Sequence, residues 1–198
     1  ASADYKSLNG KWKFHWVTSY KKRPINFYRT DFNDSQWDEI DVPANWETCG
    51  HGIALYTNHP YEFCPRNPQP PLLPEENPVG SYRKQIEIPE QWNGKEIFLH
   101  IGAEKSGCYL YVNVTKVGYS EDSKDPVEYN ITRYLRPGQN LIALEVYRWS
   151  TGSYLECQDF WRISGIERDV YLFAQSPVHL RDFSIQQDLD STYSKGLF

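Results

Sequence analysis

The feature that most constrains this chain is its apolar period. In Lys11–Trp16 the residues alternate, with Trp12, Phe14 and Trp16 on one side and Lys11, Lys13 and His15 on the other, as in a strand with one buried face. Short runs of similar character follow at Tyr82–Ile88, Ile97–Ile101, Cys108–Val112, Val127–Ile131, Leu141–Trp149 and Val170–Phe173, each bounded by Gly, Pro, Asn or Asp. No run at helical period reaches the length of a stable helix. Many short strands punctuated by turns predict an all-β sandwich, and their number suits a jelly roll. A length of 198 residues accommodates one such domain and the beginning of another.

Composition narrows the function. Seven Trp and fifteen Tyr bring the aromatic content to 16%, which serves sheet packing and sugar stacking equally well. A net charge of −5 with scattered Lys and Arg provides no basic stripe for phosphates, so nucleic acid is not an expected partner. No stretch is long and apolar enough to span a bilayer, and the Ala-Ser-Ala start lacks the regions of a signal peptide, so the chain is expected to be soluble, with no membrane partner. The four cysteines, Cys49, Cys64, Cys108 and Cys157, stand far apart without the spacing of a zinc site and are expected as free or buried thiols.

Two segments break the strand rhythm. Residues 60–78 hold seven of the thirteen prolines and cannot pair in a ladder, so a long irregular loop is expected there. Residues 150–167 mix Gly, acids and aromatics without a period and form a second candidate functional loop. After Ser176-Pro177 a new alternation begins that cannot bury a face alone. It is read as the start of a second domain, giving a jelly roll over 1–177 and a truncated unit over 178–198; the other reading is a final strand of the first sandwich.

Nothing in these residues identifies the two carboxyl groups that glycoside hydrolysis requires, and nucleophile elbows, phosphate loops and paired histidine ligands are also absent. A binding chemistry remains. Asp159 lies beside Phe160 and Trp161, and a carboxylate next to an aromatic face can accept sugar hydroxyls while the ring packs on C–H groups. Asn58 offers both donor and acceptors to the same kind of ligand. By residue chemistry alone, Asp159 capping loop amides and Asn58 forming a turn are the simpler readings. Trp12, Trp16, Trp37 and Trp46 are expected in the core.

Five stretches nevertheless stand out together: Ser7-Leu-Asn-Gly-Lys-Trp-Lys-Phe, Val42-Pro-Ala-Asn-Trp-Glu, Glu76-Asn-Pro-Val-Gly, Gly118-Tyr-Ser-Glu-Asp-Ser, and the long run from Arg148 through Gln158-Asp-Phe-Trp-Arg-Ile-Ser-Gly to Val170. In this order they resemble the opening domain of bacterial β-galactosidases of glycoside hydrolase family 2. The resemblance implies a jelly-roll first domain followed by an immunoglobulin-like domain, which residues 178–198 would begin, and then by a barrel that carries both catalytic glutamates. No catalytic residue is therefore expected in this chain, whose expected partners are a β-galactoside and the enzyme's own barrel and immunoglobulin-like domains, in a homo-oligomer of the bacterial cytoplasm or periplasm.

Carried over by position, Asp159 matches the aspartate that reaches galactose hydroxyls and a sodium ion shared with the barrel, and Asn58 matches an asparagine beside the sugar. Sodium and magnesium are implied for the full-length enzyme, with no tight binding to this chain alone. The chain departs from the family pattern at Thr151 and Cys157, both often Asp, at Glu121, where a relative carries Gln, and at Asn113-Val-Thr, where Asn-Gly is usual. Thr151 cannot be a charged magnesium ligand. The alternatives are a β-glucuronidase or β-mannosidase of the same family, and an independent carbohydrate-binding module.

Overall fold

A computed structural model describes residues 2–156 and 158–197. In chain order the strands are β1 (Tyr5–Ser7), β2 (Gly10–Val17), β3 (Asp38–Val42), β4 (Ala44–Asn45), β5 (Leu55–Thr57) and β6 (Val79–Glu87). They continue with β7 (Glu96–Ile101), β8 (Glu104–Lys105), β9 (Gly107–Val112), β10 (Thr115–Ser120), β11 (Val127–Asn130) and β12 (Gln139–Tyr147). The last are β13 (Phe160–Arg162), β14 (Gly165–Ile166), β15 (Val170–Gln175), β16 (Asp188–Leu189) and β17 (Gly196–Leu197). Two antiparallel sheets face each other, one in the order β10-β9-β12-β6-β2-β3 and one in the order β1-β15-β7-β11. This is the expected all-β sandwich of jelly-roll type, with all seven runs read from the sequence present as strands.

The alternation explains the core. Trp12 and Phe14 from β2, Tyr82 from β6, Leu99 and Ile101 from β7, Leu110 from β9, Leu144 from β12 and Leu172 from β15 are buried between the sheets. At about 25 cal/mol per Å2, burying apolar surface of this kind is the main favourable term in folding. Trp46 is also buried, and Trp16 packs against the same cluster. Trp37 takes a different place, on the outer face of the larger sheet, where it packs with Phe27, Leu141 and Ala143 under the 20–37 segment. That cover explains why β12 is buried on both faces and reads as a nearly continuous apolar run. Arg83 staples the cover down by donating to Asp34 at 2.6 Å and to the carbonyls of Phe27 and Arg29.

The strands that alternation did not reveal lie mostly at edges. In β3 only Ile40 and Val42 are buried, while Asp38, Glu39 and Asp41 face solvent and hide the pattern. Charges on an edge strand discourage pairing with another chain. In β10 the register shifts between Lys116 and Gly118, a bulge that erases the period. Beyond Gln175 no described residue joins either sheet; β16 pairs only with β17, and Val178 is 90% exposed.

The β9–β10 connection carries a strained residue. Asn113 and Val114 form a two-residue turn with φ of 46° and 73°. Asn113 is fixed by donating to the Tyr134 carbonyl at 2.9 Å and by accepting from the Leu141 N–H at 2.9 Å. Val114 is half exposed, and a β-branched residue is disfavoured at positive φ, where glycine is at ease. Val114→Gly is therefore expected to stabilise the domain by about 1 kcal/mol in denaturant titration. An unchanged or lower midpoint would show that the turn is not strained.

Candidate functional site

The two irregular segments meet at one end of the sandwich. There β5 pairs antiparallel with β13, with Thr57 opposite Phe160, Tyr56 opposite Trp161 and Leu55 opposite Arg162. Asn58 directly follows the last paired residue of β5 and Asp159 directly precedes the first of β13, so both lie at the same end of this ladder. Tyr56 and Trp161 are paired and share one face of the ribbon, the bond from Tyr56 brings Asp159 to it, and Asn58 stands at the adjoining end of the ladder. All four are exposed. The Tyr56 and Trp161 rings meet edge to face with centroids 5.5 Å apart. The Tyr56 hydroxyl donates to Asp159, and that bond holds the phenol above its ordinary pKa. The surface thus offers two rings, an amide and a carboxylate, a combination that can meet both the C–H faces and the hydroxyls of a sugar.

The opposite face of the ribbon is anchored in buried charge. Arg162 is buried and lies 3.4 Å from Glu62, whose other oxygen accepts from the Trp149 indole N–H at 3.0 Å. Arg148 donates to Glu47 at 2.8 Å and to the carbonyls of Ile53 and Arg162 at 3.1 Å each. Glu47 also accepts the Ser164 N–H at 2.8 Å, while its burial raises its carboxyl above the usual range. Asn77 clasps Trp149 by donating to its carbonyl at 2.8 Å and accepting its N–H at 3.0 Å. Phe63 packs on Trp149 and Tyr154. The proline-rich loop thus packs behind the ribbon through Glu62, Phe63 and Asn77.

A family model described as "Glycosyl hydrolases family 2, sugar binding domain" matches residues 5–176. The chain belongs to this family. It is 42% identical to the β-galactosidase of Priestia megaterium over 198 residues, covering 99% of this chain and 19% of the relative. It is 40% identical to the β-galactosidase of Streptococcus thermophilus over 192 residues, covering 96% of this chain and 19% of the relative. The chain therefore spans about a fifth of the length of these curated relatives. Among solved structures, a Bacteroides uniformis β-glucuronidase superposes with a TM-score of 0.64 at 25% identity, covering 87% of this chain and 18% of that one. An uncultured Clostridium β-glucuronidase gives a TM-score of 0.66 at 16% identity over 96% of this chain and 32% of that one, a likeness of fold alone.

Within this family 2 sugar-binding domain the sequence missed Tyr56. The period-two relation of Tyr56 to Asn58 was visible, but the pairing of β5 with a strand a hundred residues away was not. Arg148 and Glu47 were hidden for the same reason. Cys49, Cys64 and Cys108 are free, and Cys157 lies outside the described residues.

The implied metals fit unequally. Both Glu121 oxygens accept from the Thr151 hydroxyl, at 2.8 and 2.6 Å, and Tyr119 and the Gly152 N–H add further bonds at 2.9 and 3.4 Å. A carboxylate surrounded by donors, beside a neutral hydroxyl, does not fit a magnesium ligand set. Asp159 is exposed and offers carboxylate oxygens, the hard donor type that a sodium ion takes. Among the described residues no group of three His, Cys, Asp or Glu side chains could hold a metal ion.

Of the buried acids outside the ribbon, Glu104 and Glu145, the first has an incomplete set of partners. Glu104 is fully buried, accepts from the Ser120 hydroxyl, and has one oxygen without a protein partner. Burial, with Asp122 and Glu156 nearby, pushes its carboxyl up to about 7. The folded state binds this proton more tightly than the unfolded chain, so the contribution is full below about pH 4.5 and is lost as pH rises through about 7. Glu104→Gln is expected to flatten stability against pH across that window, adding up to about 3 kcal/mol above it. Parallel pH profiles of the two proteins would assign the ionisation elsewhere.

Proposed function

We propose that this domain contributes Asn58 and Asp159 to the galactose subsite of a retaining exo-acting family 2 β-galactosidase and performs no hydrolysis itself. The observation that supports the reading is the pairing of β5 with β13, at whose end Asn58 and Asp159 are both exposed and Asp159 is bonded to Tyr56. A retaining mechanism requires two carboxyl groups about 5 Å apart, and we assign both to a catalytic domain beyond this chain. Ile53 and Leu155 near the ribbon are 73% and 85% exposed, and we assign them to contact with that domain.

A neutral galactoside suits this face better than a glucuronide, whose own carboxylate would meet the negative charge of Asp159. The relatives at 40% and 42% identity named β-galactosidase support the same choice. The competing reading is an independent carbohydrate-binding module. Isothermal titration of the isolated chain with galactose and lactose separates the two. A subsite contributor should show no saturable heat, whereas a module should bind alone, and such binding would overturn the proposal. We also propose that residues 178–198 begin a following domain, a reading supported by the exposure of most of residues 178–197 and by the family match ending at residue 176.

A further inference from the structure

The sequence contains two Asn-Gly pairs, Asn9-Gly10 and Asn93-Gly94, and the fold treats them differently. Asn9 is half-buried and held at both ends of its amide. Its Nδ2 donates to Asp169 at 2.8 Å, its Oδ1 accepts from the Val170 N–H at 2.9 Å, and Gly10 opens β2 opposite Val42. Asn93 and Gly94 are both exposed, in the turn between a short 3-10 segment, Glu90–Trp92, and β7.

The main chain is pinned on either side of this turn. The Asn93 N–H donates to the Glu90 carbonyl and the Lys95 N–H to the Trp92 carbonyl, each at 3.0 Å. Among the described residues, no protein group bonds the Asn93 amide or the Gly94 N–H. Gly94 has φ of 78°, and a Cβ placed on it would meet nothing within 4 Å, so the turn is open on that side.

We infer that Asn93 is a site of spontaneous modification and that the fold protects Asn9. The Gly94 nitrogen, having lost its proton to solvent base, attacks Cγ of Asn93. A new C–N bond forms, the Cγ–Nδ2 bond breaks, and ammonia leaves with a proton returned from solvent. The resulting succinimide is opened by water. Addition at the side-chain carbonyl gives aspartate, and addition at the main-chain carbonyl gives isoaspartate. No oxidant or metal is required.

Ring closure requires the Asn93 main chain to turn away from its ψ of 131°, which releases the single Lys95 bond to Trp92 in an exposed turn; the free side-chain amide and the missing Cβ of glycine then let the two atoms meet. At Asn9 the same reaction would first have to release two hydrogen bonds and the start of a strand. The product carries a new negative charge between Glu90 and Glu96. It lies on the wall of a cavity of about 700 Å3 that Trp92, Ile97 and Leu135 also line, at the end of the sandwich away from the β5–β13 ribbon.

The test is peptide mapping by mass spectrometry after incubation of the chain in mildly alkaline buffer. Isoaspartate is counted by methyl transfer from S-adenosylmethionine with an isoaspartyl methyltransferase. In the folded chain, conversion at Asn93 is expected to exceed that at Asn9 by at least about tenfold. In urea the two sites should react at comparable rates, and Asn93→Gln should abolish the folded-state signal. An Asn93 that stays intact in the folded chain while converting in urea would overturn the proposal. So would equal conversion of the two sites before unfolding.

Discussion

In a full-length enzyme containing this chain, Asp159→Ala is expected to lower kcat/KM for an aryl β-galactoside by at least about tenfold. A sugar hydroxyl left without its acceptor in a closed site costs roughly 1–3 kcal/mol, and more when the lost partner was charged. Asp159 is exposed and lies outside the paired residues of the ribbon, so its removal leaves Tyr56 facing Trp161 and leaves the Arg148 and Arg162 anchors untouched. Folding should therefore be unaffected. Asn58→Ala should have a smaller effect because the lost bonds are neutral. Near-normal kinetics in a well-folded Asp159→Ala enzyme would reduce the residue to a partner of the Tyr56 hydroxyl.

The second large effect is on stability. Arg148→Met leaves the carboxylate of Glu47 buried without its cation and leaves the Ile53 and Arg162 carbonyls without their donor. Removing one member of a buried pair typically costs about 3–5 kcal/mol, since the remaining charge is neither solvated nor paired. Because Arg148 ties the segment before β5 to β13, hydrogen exchange should rise first in Leu55–Thr57 and Phe160–Arg162. The double replacement of Arg148 by Met and Glu47 by Leu should recover much of the loss, because it removes both charges. Denaturant titration measures the first effect. A change below about 1 kcal/mol would show that water reaches Glu47 and that the pair does not anchor the ribbon.

How far the sequence revealed this structure depended on whether a signal was local. Alternation in β2 and the run in β12 disclosed the sandwich because burial of one or both faces writes itself directly into residue order. Asp38, Glu39 and Asp41 concealed β3 because an edge strand carries charge for solubility. Asn58 and Asp159 could be singled out by their chemistry and by resemblance, yet each had a simpler local explanation. Their arrival at one end of the ribbon depends on β5 pairing with β13 across a long separation, and no local pattern specifies that register. Trp37 was expected in the core because it is large and apolar. Its position over the outer face follows from the Arg83 staple, whose partners Asp34, Phe27 and Arg29 lie on a segment without strand period.

The most direct test is a crystal structure of the full-length enzyme with a bound galactoside. The account requires an Asp159 oxygen within hydrogen-bond distance of a sugar hydroxyl or of a cation that itself touches the sugar, with Asn58 alongside. A galactoside bound elsewhere, with Asp159 bonded only to Tyr56 and the β5–β13 face turned to solvent, would contradict it.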